Sequence, residues 1–75
     1  MNLKDQNLDY FAIEKLSKFN FQNLRHLDLS NNTIKTGIKF LKKMNLKKLQ
    51  ILNLQNNQID DEAFQNFFQL IVPEL

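Results

Sequence analysis

The chain has 75 residues, with one Gly, one Pro and no Cys, and 43% of the residues are hydrophobic. This composition is typical of one small packed domain, and it excludes disulfide bonds, thiolate metal sites and thiol redox chemistry. Ten basic and eight acidic side chains give a net charge of +2, which is only weak support for nucleic acid as a partner.

The first element in chain order is a truncated copy of a leucine pattern that recurs twice in full. The full pattern is Leu24-x-x-Leu27-x-Leu29-x-x-Asn32-x-Ile34, and 25 residues later it returns as Leu49-x-x-Leu52-x-Leu54-x-x-Asn57-x-Ile59. The chain start keeps the second half of this pattern, as Met1-x-Leu3-x-x-Gln6-x-Leu8. Apolar and polar residues alternate with period two in each copy, which predicts short strands whose leucines face the core.

The segments between the strands carry apolar residues at i, i+3 and i+6, the spacing of one helix face. They predict short helices near 11–19, 37–44 and 61–71. Asp9, Thr36 and either Asp60 or Asp61 stand where a helix N-cap oxygen is expected. Aligning the three segments gives columns that are apolar throughout: Ile13, Ile38 and Phe64; Leu16, Leu41 and Phe67; Phe19, Met44 and Leu70; Phe21, Leu46 and Val72. The stripe of Phe64, Phe67, Phe68 and Ile71 is therefore better interpreted as a packed helix face than as a ligand groove.

The repeat spacing of 25–26 residues and the Leu-x-x-Leu-x-Leu-x-x-Asn core resemble the leucine-rich repeat family, in its intracellular type. The resemblance implies an α/β leucine-rich repeat solenoid, with a parallel β-sheet on the concave side and short helices on the convex side. Residues 1–75 would form a single leucine-rich repeat domain with repeats at about 1–23, 24–48 and 49–74. Since the pattern starts inside a strand and stops at Leu75, the first leucine of another repeat, we expect part of a longer repeat array or assembly.

An asparagine follows each full strand at a fixed place. A side-chain amide there can both donate to and accept from backbone groups that have left the strand ladder. Asn32 and Asn57 fit this role, and Gln6 takes the same place in the first repeat with a longer, less suitable side chain. We predict that these three residues are structural turn amides rather than ordinary loop residues.

Stacked strands would present rows of side chains on the concave face, with neighbours about 4.8 Å apart. The predicted rows are His26 beside Ile51; Asn2, Asp28 and Asn53; and Lys4, Ser30 and Gln55. In the family that the chain resembles, this face is the commonest place for a protein partner. The sequence therefore predicts a protein-binding strip on the concave face.

The middle repeat is strongly basic, since no acidic residue lies between Asp28 and Asp60. Its lysines are Lys35, Lys39, Lys42, Lys43, Lys47 and Lys48. On a helix, Lys39, Lys42 and Lys43 would share the outer face. That face is either a solvated surface that aids solubility or a contact for phosphates or an acidic protein surface. We expect no interleaved aromatic residues there, which argues against sequence-specific nucleic-acid recognition.

The sequence predicts no catalytic residue, no metal site and no cofactor. His26 and Ser30 are four residues apart, which separates them by more than about 10 Å in an extended strand, and the acidic run 60–62 is better explained as helix capping. We predict a non-enzymatic protein–protein interaction module or scaffold in a larger complex. The expected setting is intracellular and cytoplasmic, with a nuclear or organellar one left open, and neither a membrane nor a small-molecule substrate is expected. The alternative is an accessory ribonucleoprotein subunit that contacts RNA phosphates through the middle-repeat lysines, and a third hypothesis is an enzyme regulator or enzyme-attached repeat domain.

Overall fold

Two short parallel strands form the sheet of this protein. The computed structural model describes residues 1–62, 64 and 65. Strand β1 is His26–Asp28 and strand β2 is Ile51–Asn53. The strands pair in parallel, with His26 opposite Ile51 and Asp28 opposite Asn53. The register predicted from the 25-residue spacing is confirmed.

The first repeat joins this sheet through a bridge rather than a full strand. Asn2 forms an isolated parallel bridge with Asp28. The backbone N–H of Leu3 donates to the Asp28 carbonyl at 2.8 Å, and the N–H of Asp28 donates to the Met1 carbonyl at 3.0 Å. The first repeat therefore stacks on β1 in the register that the leucine pattern predicts.

Two helices return the chain from one strand position to the next. Helix α1 is Tyr10–Leu16, three residues shorter at its C-terminus than expected, and its N-cap is Asp9, whose side chain accepts from the Ala12 N–H at 2.9 Å. This confirms the predicted cap. The second helix, Lys35–Met44, is a 3-10 helix rather than an α-helix, and it starts two residues before the predicted bound. Because a 3-10 helix rises about 2.0 Å per residue against 1.5 Å in an α-helix, these ten residues cover a longer path.

The predicted N-cap at Thr36 is wrong. The cap position of the 3-10 helix is Ile34, which has no side-chain cap hydrogen bond, and Thr36 lies exposed within the helix. The cause is the neighbouring repeat, since Asn57 accepts from the backbone N–H groups of both Ile34 and Lys35. These N–H groups are satisfied from outside, so the helix starts without a polar side chain of its own.

The hydrophobic core lies between the strands and the helices. It comprises Ile13, Leu27, Leu29, Ile34, Ile38, Phe40, Leu41, Met44, Leu46 and Leu49. Full burial of each large aliphatic side chain contributes about 1.5–3 kcal/mol to folding. The sequence predicts that the column of Phe19, Met44 and Leu70 is packed, and this prediction is wrong for Phe19, which is 64% exposed. Helix α1 ends at Leu16, and the turn that follows, closed by the Phe19 N–H on the Leu16 carbonyl, directs this ring to solvent.

The third predicted helix overlaps the described residues only at 61–62 and 64–65. Residues 61–62 and 64–65 are helical, and the Phe64 N–H donates to the Asp60 carbonyl at 3.0 Å. The rest of the helix predicted at 61–71, together with Phe67, Phe68, Leu70, Ile71, Val72 and Leu75, lies outside the described residues. Neither helix α1, the 3-10 helix nor any other helical segment of the described residues has the length and hydrophobicity of a membrane span.

Candidate interaction surface

The solvent side of the sheet carries the side chains predicted to contact a partner. We call this the sheet face, and it consists of Asn2, Lys4, His26, Asp28, Ile51, Asn53 and Gln55. His26 and Ile51 lie side by side and are both exposed, and Asp28 lies between Asn2 and Asn53. The first two predicted rows are thus present as geometry, whereas their role in binding stays a prediction.

The middle row of the sheet face has a repeated local structure that the sequence analysis missed. In each repeat the side chain of this row accepts a hydrogen bond from the backbone N–H two residues later. The bonds join Asn2 to Lys4 at 3.0 Å, Asp28 to Ser30 at 2.9 Å, and Asn53 to Gln55 at 3.0 Å. These Asx turns end the strands and fix the direction of the three side chains. The signal was an Asn or Asp at the same place in every repeat.

Asp28 is the charged centre of this row. Its Oδ1 atom accepts from both the Ser30 hydroxyl, at 2.7 Å, and the Ser30 N–H. These two hydrogen bonds, together with the charge of Lys4, hold the pKa of the Asp28 carboxyl below its usual range, against a smaller opposing effect of burial. The carboxylate is therefore ionised at neutral pH, and its Oδ2 atom makes no hydrogen bond within the described residues.

Ser30 is the one predicted strip residue that does not reach solvent. It is only 4% exposed, so the expectation that it lines the surface is wrong. Strand β1 ends at Asp28, and the alternation of inward and outward side chains ends with it. Ser30 lies in the following turn, where its hydroxyl bonds to Asp28 instead of facing a partner.

An apolar edge adjoins the charged row. Ile51 is 53% exposed, and Met1, which the sequence analysis did not assign to the strip, is 50% exposed. Together with Asn2, His26, Leu27, Asp28 and Asn53 they line an open depression of about 330 Å³ on the sheet face. A hydrogen-bonding carboxylate beside exposed aliphatic groups can hold a donor and an apolar group of one ligand at the same time.

The turn amides lie beneath this surface. Asn57 is 2% exposed; its Oδ1 accepts from the Ile34 N–H, and its Nδ2 donates to the carbonyls of Leu29, Leu54 and Gln55. Asn32, 4% exposed, accepts from Gln6 and Leu8 and donates to Leu3, Leu29 and Ser30. Each asparagine thus joins its own repeat to the preceding one. Gln6 is exposed, and within the described residues its side-chain amide donates only to the Lys4 carbonyl in its own turn.

The basic residues of the middle repeat do not form one patch. Lys39, Lys42 and Lys43 line a second open depression, of about 440 Å³, together with Tyr10, Glu14 and Phe40. Lys35, Lys47 and Lys48 do not line it, and Lys48 instead contacts the Asn23 amide oxygen at 3.5 Å. The expectation of no aromatic residues near these lysines is wrong, since Tyr10 and Phe40 lie among them.

Comparison with known families decides the assignment. The family model described as leucine rich repeats (2 copies) matches residues 22–66, which is more than half of the chain. The chain belongs to the leucine-rich repeat family. No curated protein and no solved structure matches the chain significantly.

Membership of the leucine-rich repeat family explains which of the assigned residues are structural. The buried asparagines, the inward leucines and the Asn or Asp of the middle row recur from repeat to repeat, whereas the other sheet-face residues and the lysines differ. Leucine-rich repeat domains generally mediate protein–protein interaction and are typically non-enzymatic. Within the described part of the chain, no group of three or more His, Cys, Asp or Glu side chains could hold a metal ion.

Proposed function

We propose that this leucine-rich repeat domain is a non-enzymatic protein-binding module whose sheet face holds a segment of a partner protein. One observation carries the proposal: an ionised carboxylate, fixed by Ser30, stands beside exposed Ile51 and Met1 in one depression. Side chains fixed before binding lose little conformational entropy when a partner docks.

The chemistry of the sheet face indicates the kind of partner segment. The free Oδ2 atom of Asp28 accepts a hydrogen bond from an Arg or Lys side chain, a charge-assisted bond stronger than one between neutral groups. Ile51 and Met1 offer apolar contact area next to it. The fitting segment therefore has a basic residue beside a bulky aliphatic or aromatic one.

Selection from a displayed peptide library tests this proposal. The folded domain would be the bait, and the enriched peptides would then be measured against two variants, Asp28→Lys and Ile51→Glu. We expect the enriched peptides to pair a basic with a bulky apolar residue, and to lose at least about tenfold in affinity, or about 1.4 kcal/mol, towards either variant.

Matched controls use the same substitutions away from the sheet face. Glu14→Lys repeats the charge reversal on helix α1, and Phe19→Glu repeats the change from apolar to acidic at another exposed position. Both controls should bind the enriched peptides like the unmodified domain. Peptides that bind all four variants equally, or that lack basic residues, would contradict the proposal.

A ribonucleoprotein subunit that contacts RNA through the middle-repeat lysines is the competing hypothesis. A salt titration separates the two, because phosphate contacts weaken steeply with added salt, whereas an interface with an apolar centre weakens much less. Binding of RNA in place of peptides, with a steep salt dependence, would favour the ribonucleoprotein.

A further inference from the structure

The second depression combines lysines with aromatic rings on the helical side of the domain. We call the set Tyr10, Phe11, Glu14, Lys39, Phe40 and Lys43 the helical cluster. The rings of Tyr10 and Phe40 meet edge to face with centroids 5.0 Å apart, and Phe11 meets Tyr10 in the same way at 5.4 Å. The rings come from α1 and from the 3-10 helix, so the packing of these two helices assembles the cluster.

Ring faces hold the two ammonium groups of this cluster in place. The Lys39 Nζ atom lies 5.1 Å from the centre of the Tyr10 ring and 5.4 Å from that of Phe40. The Lys43 Nζ atom lies 5.5 Å from the centre of the Phe40 ring. Such cation–π contacts fix the side chains without neutralising their charge, and the ammonium groups can still donate hydrogen bonds to an anion.

The local charge around these lysines is strongly positive. Glu14 is the one carboxylate among the residues that line the depression, against three lysines. The sequence places no acidic residue between Asp28 and Asp60, so the 3-10 helix itself contributes only positive charge. A positive, partly enclosed surface raises the local concentration of negatively charged ligands.

The exposure of the rings decides between the classes of anionic ligand. Single-stranded nucleic acids bind by stacking bases on open aromatic faces along a basic groove. Here Lys39 covers faces of Tyr10 and Phe40, and Phe40 is only 7% exposed, so these rings support lysines instead of offering stacking surfaces. Phe11 does not line the depression itself, but it packs against Tyr10, which does, and it is 66% exposed, so it offers one apolar contact.

We propose that the helical cluster is a second docking surface, which binds an acidic segment of a partner protein. The carboxylates of the segment contact Lys39 and Lys43, and an apolar side chain beside them packs on Phe11. In an extended segment, alternate residues lie about 6.6 Å apart on one face, which allows two carboxylates to reach two separate ammonium groups. This surface is distinct from the sheet face, so either proposal can fail without the other.

Fluorescence polarisation with defined probes tests the proposal. The probe, called the Glu–Leu peptide, is a labelled repeat of Glu-Ser-Glu-Ser-Leu-Ser, which places its Glu and Leu side chains on one face of an extended chain. It is compared with a Lys–Leu peptide of the same pattern and with single-stranded oligouridine of equal length. We expect the Glu–Leu peptide to bind best. Lys39→Glu should weaken its binding by at least about tenfold, as loss of one charge-assisted contact implies, and Phe11→Ala should weaken it several-fold.

Two further variants keep the test decisive. Lys47→Glu makes the same charge change at an exposed position of the same repeat outside the cluster, and it should change the affinity by less than about twofold. Lys43 is exposed, so Lys43→Glu is used in place of Lys39→Glu if Lys39→Glu lowers the stability of the domain. Three outcomes would overturn the proposal: no binding of the Glu–Leu peptide, equal losses in Lys39→Glu and Lys47→Glu, or tighter binding of oligouridine.

Discussion

At the scale of single residues, asparagine and aspartate perform different tasks in the same repeat. Asn57 needs both an acceptor and a donor, because its side chain accepts from one backbone N–H and donates to three carbonyls. An aspartate at that place would lack the donor. Asp28 needs only acceptors, because both of its hydrogen bonds come from Ser30. The chemistry of each turn therefore accounts for the residue found there.

Replacing Ser30 by Ala should raise the pKa of the Asp28 carboxyl towards its ordinary value. The substitution removes the hydroxyl that contributes most to the lowering, while the Ser30 N–H remains as a donor. A titration followed by carboxyl carbon NMR measures the change. Ser17→Ala is the control, since the Ser17 hydroxyl bonds to the Glu14 carbonyl far from this site. An unchanged Asp28 pKa in Ser30→Ala would contradict the assigned hydrogen bond.

The same contact gives folding stability a defined dependence on pH. A carboxyl whose pKa is lower in the folded than in the unfolded state stabilises the fold above the unfolded value, here 3.8. This contribution is lost as the pH falls through the lower folded-state value. Stability from Asp28 is therefore complete at neutral pH and declines only in acid, and Ser30→Ala should reduce that acid dependence.

At the scale of elements, the 3-10 helix depends on close packing against α1. Gly37 is buried in this helix, and a Cβ atom added there would lie 3.1 Å from the Cα of Tyr10 and 3.4 Å from the Ile34 Cγ2. The nearer of these atoms belongs to the backbone, so it cannot move as a flexible side chain would. The two helices can approach this closely because the residue between them is glycine.

Gly37→Ala should destabilise the domain in spite of the better helix propensity of alanine. The gain in propensity is about 1 kcal/mol, and overpacking against a fixed neighbour costs about 1–3 kcal/mol, so we expect a net loss of about 1 kcal/mol. Urea unfolding measures it. Thr36→Ala, at the exposed neighbouring position, should change the free energy of unfolding by less than about 0.5 kcal/mol. A more stable Gly37→Ala variant would show that α1 can shift without cost.

The repeat period predicted which residues are neighbours, but not how the return segments fold. The pairs His26–Ile51 and Asp28–Asn53 follow from a spacing of 25 residues, because a parallel ladder preserves that offset. The start of the 3-10 helix depends on a tertiary contact, Asn57 bonding to Ile34, that local propensity does not contain. The exposure of Phe19 follows from the end of α1 at Leu16 and the turn after it, and the apolar spacing alone does not predict that end. The helical cluster could have been found, since the same alignment that pairs Ile13 with Ile38 places Glu14 beside Lys39.

At the scale of the whole molecule, side chains 25 residues apart tie successive repeats together. The Asn56 amide donates to the Asn31 side chain at 2.7 Å, and Asn45 contacts Asn20 at 3.5 Å, both pairs on the surface. Asn56 therefore links two repeats although its side chain is exposed. The buried bonds of Asn32 and Asn57 are energetically more important, because an unpaired buried polar group costs about 1–3 kcal/mol. In repeat proteins, stability is approximately a sum of such nearest-neighbour terms.

This arrangement predicts that the two buried asparagines protect different parts of the chain. Asn32→Ala removes the acceptor of the Gln6 and Leu8 amides, so these should exchange hydrogen faster. The amides of Leu29 and Asn31, which bond to the Asn53 and Gln55 carbonyls, should keep most of their protection. Native-state hydrogen exchange by NMR measures each amide separately.

Asn57→Ala should give the opposite pattern. It removes the acceptor of the Ile34 amide and three hydrogen bonds to backbone carbonyls of two repeats. The amides of Ile34, Leu29 and Asn31 should therefore lose protection against exchange, and the free energy of unfolding should fall by about 1–3 kcal/mol. Gln55→Ala is the control, because the Gln55 side chain is exposed. Its bonds to Asn31 and Asn57 use the backbone carbonyl, which the substitution keeps. Equal loss of protection at every amide in both variants would mean that the domain opens only as one unit, and that the asparagines do not set the strength of individual repeat junctions.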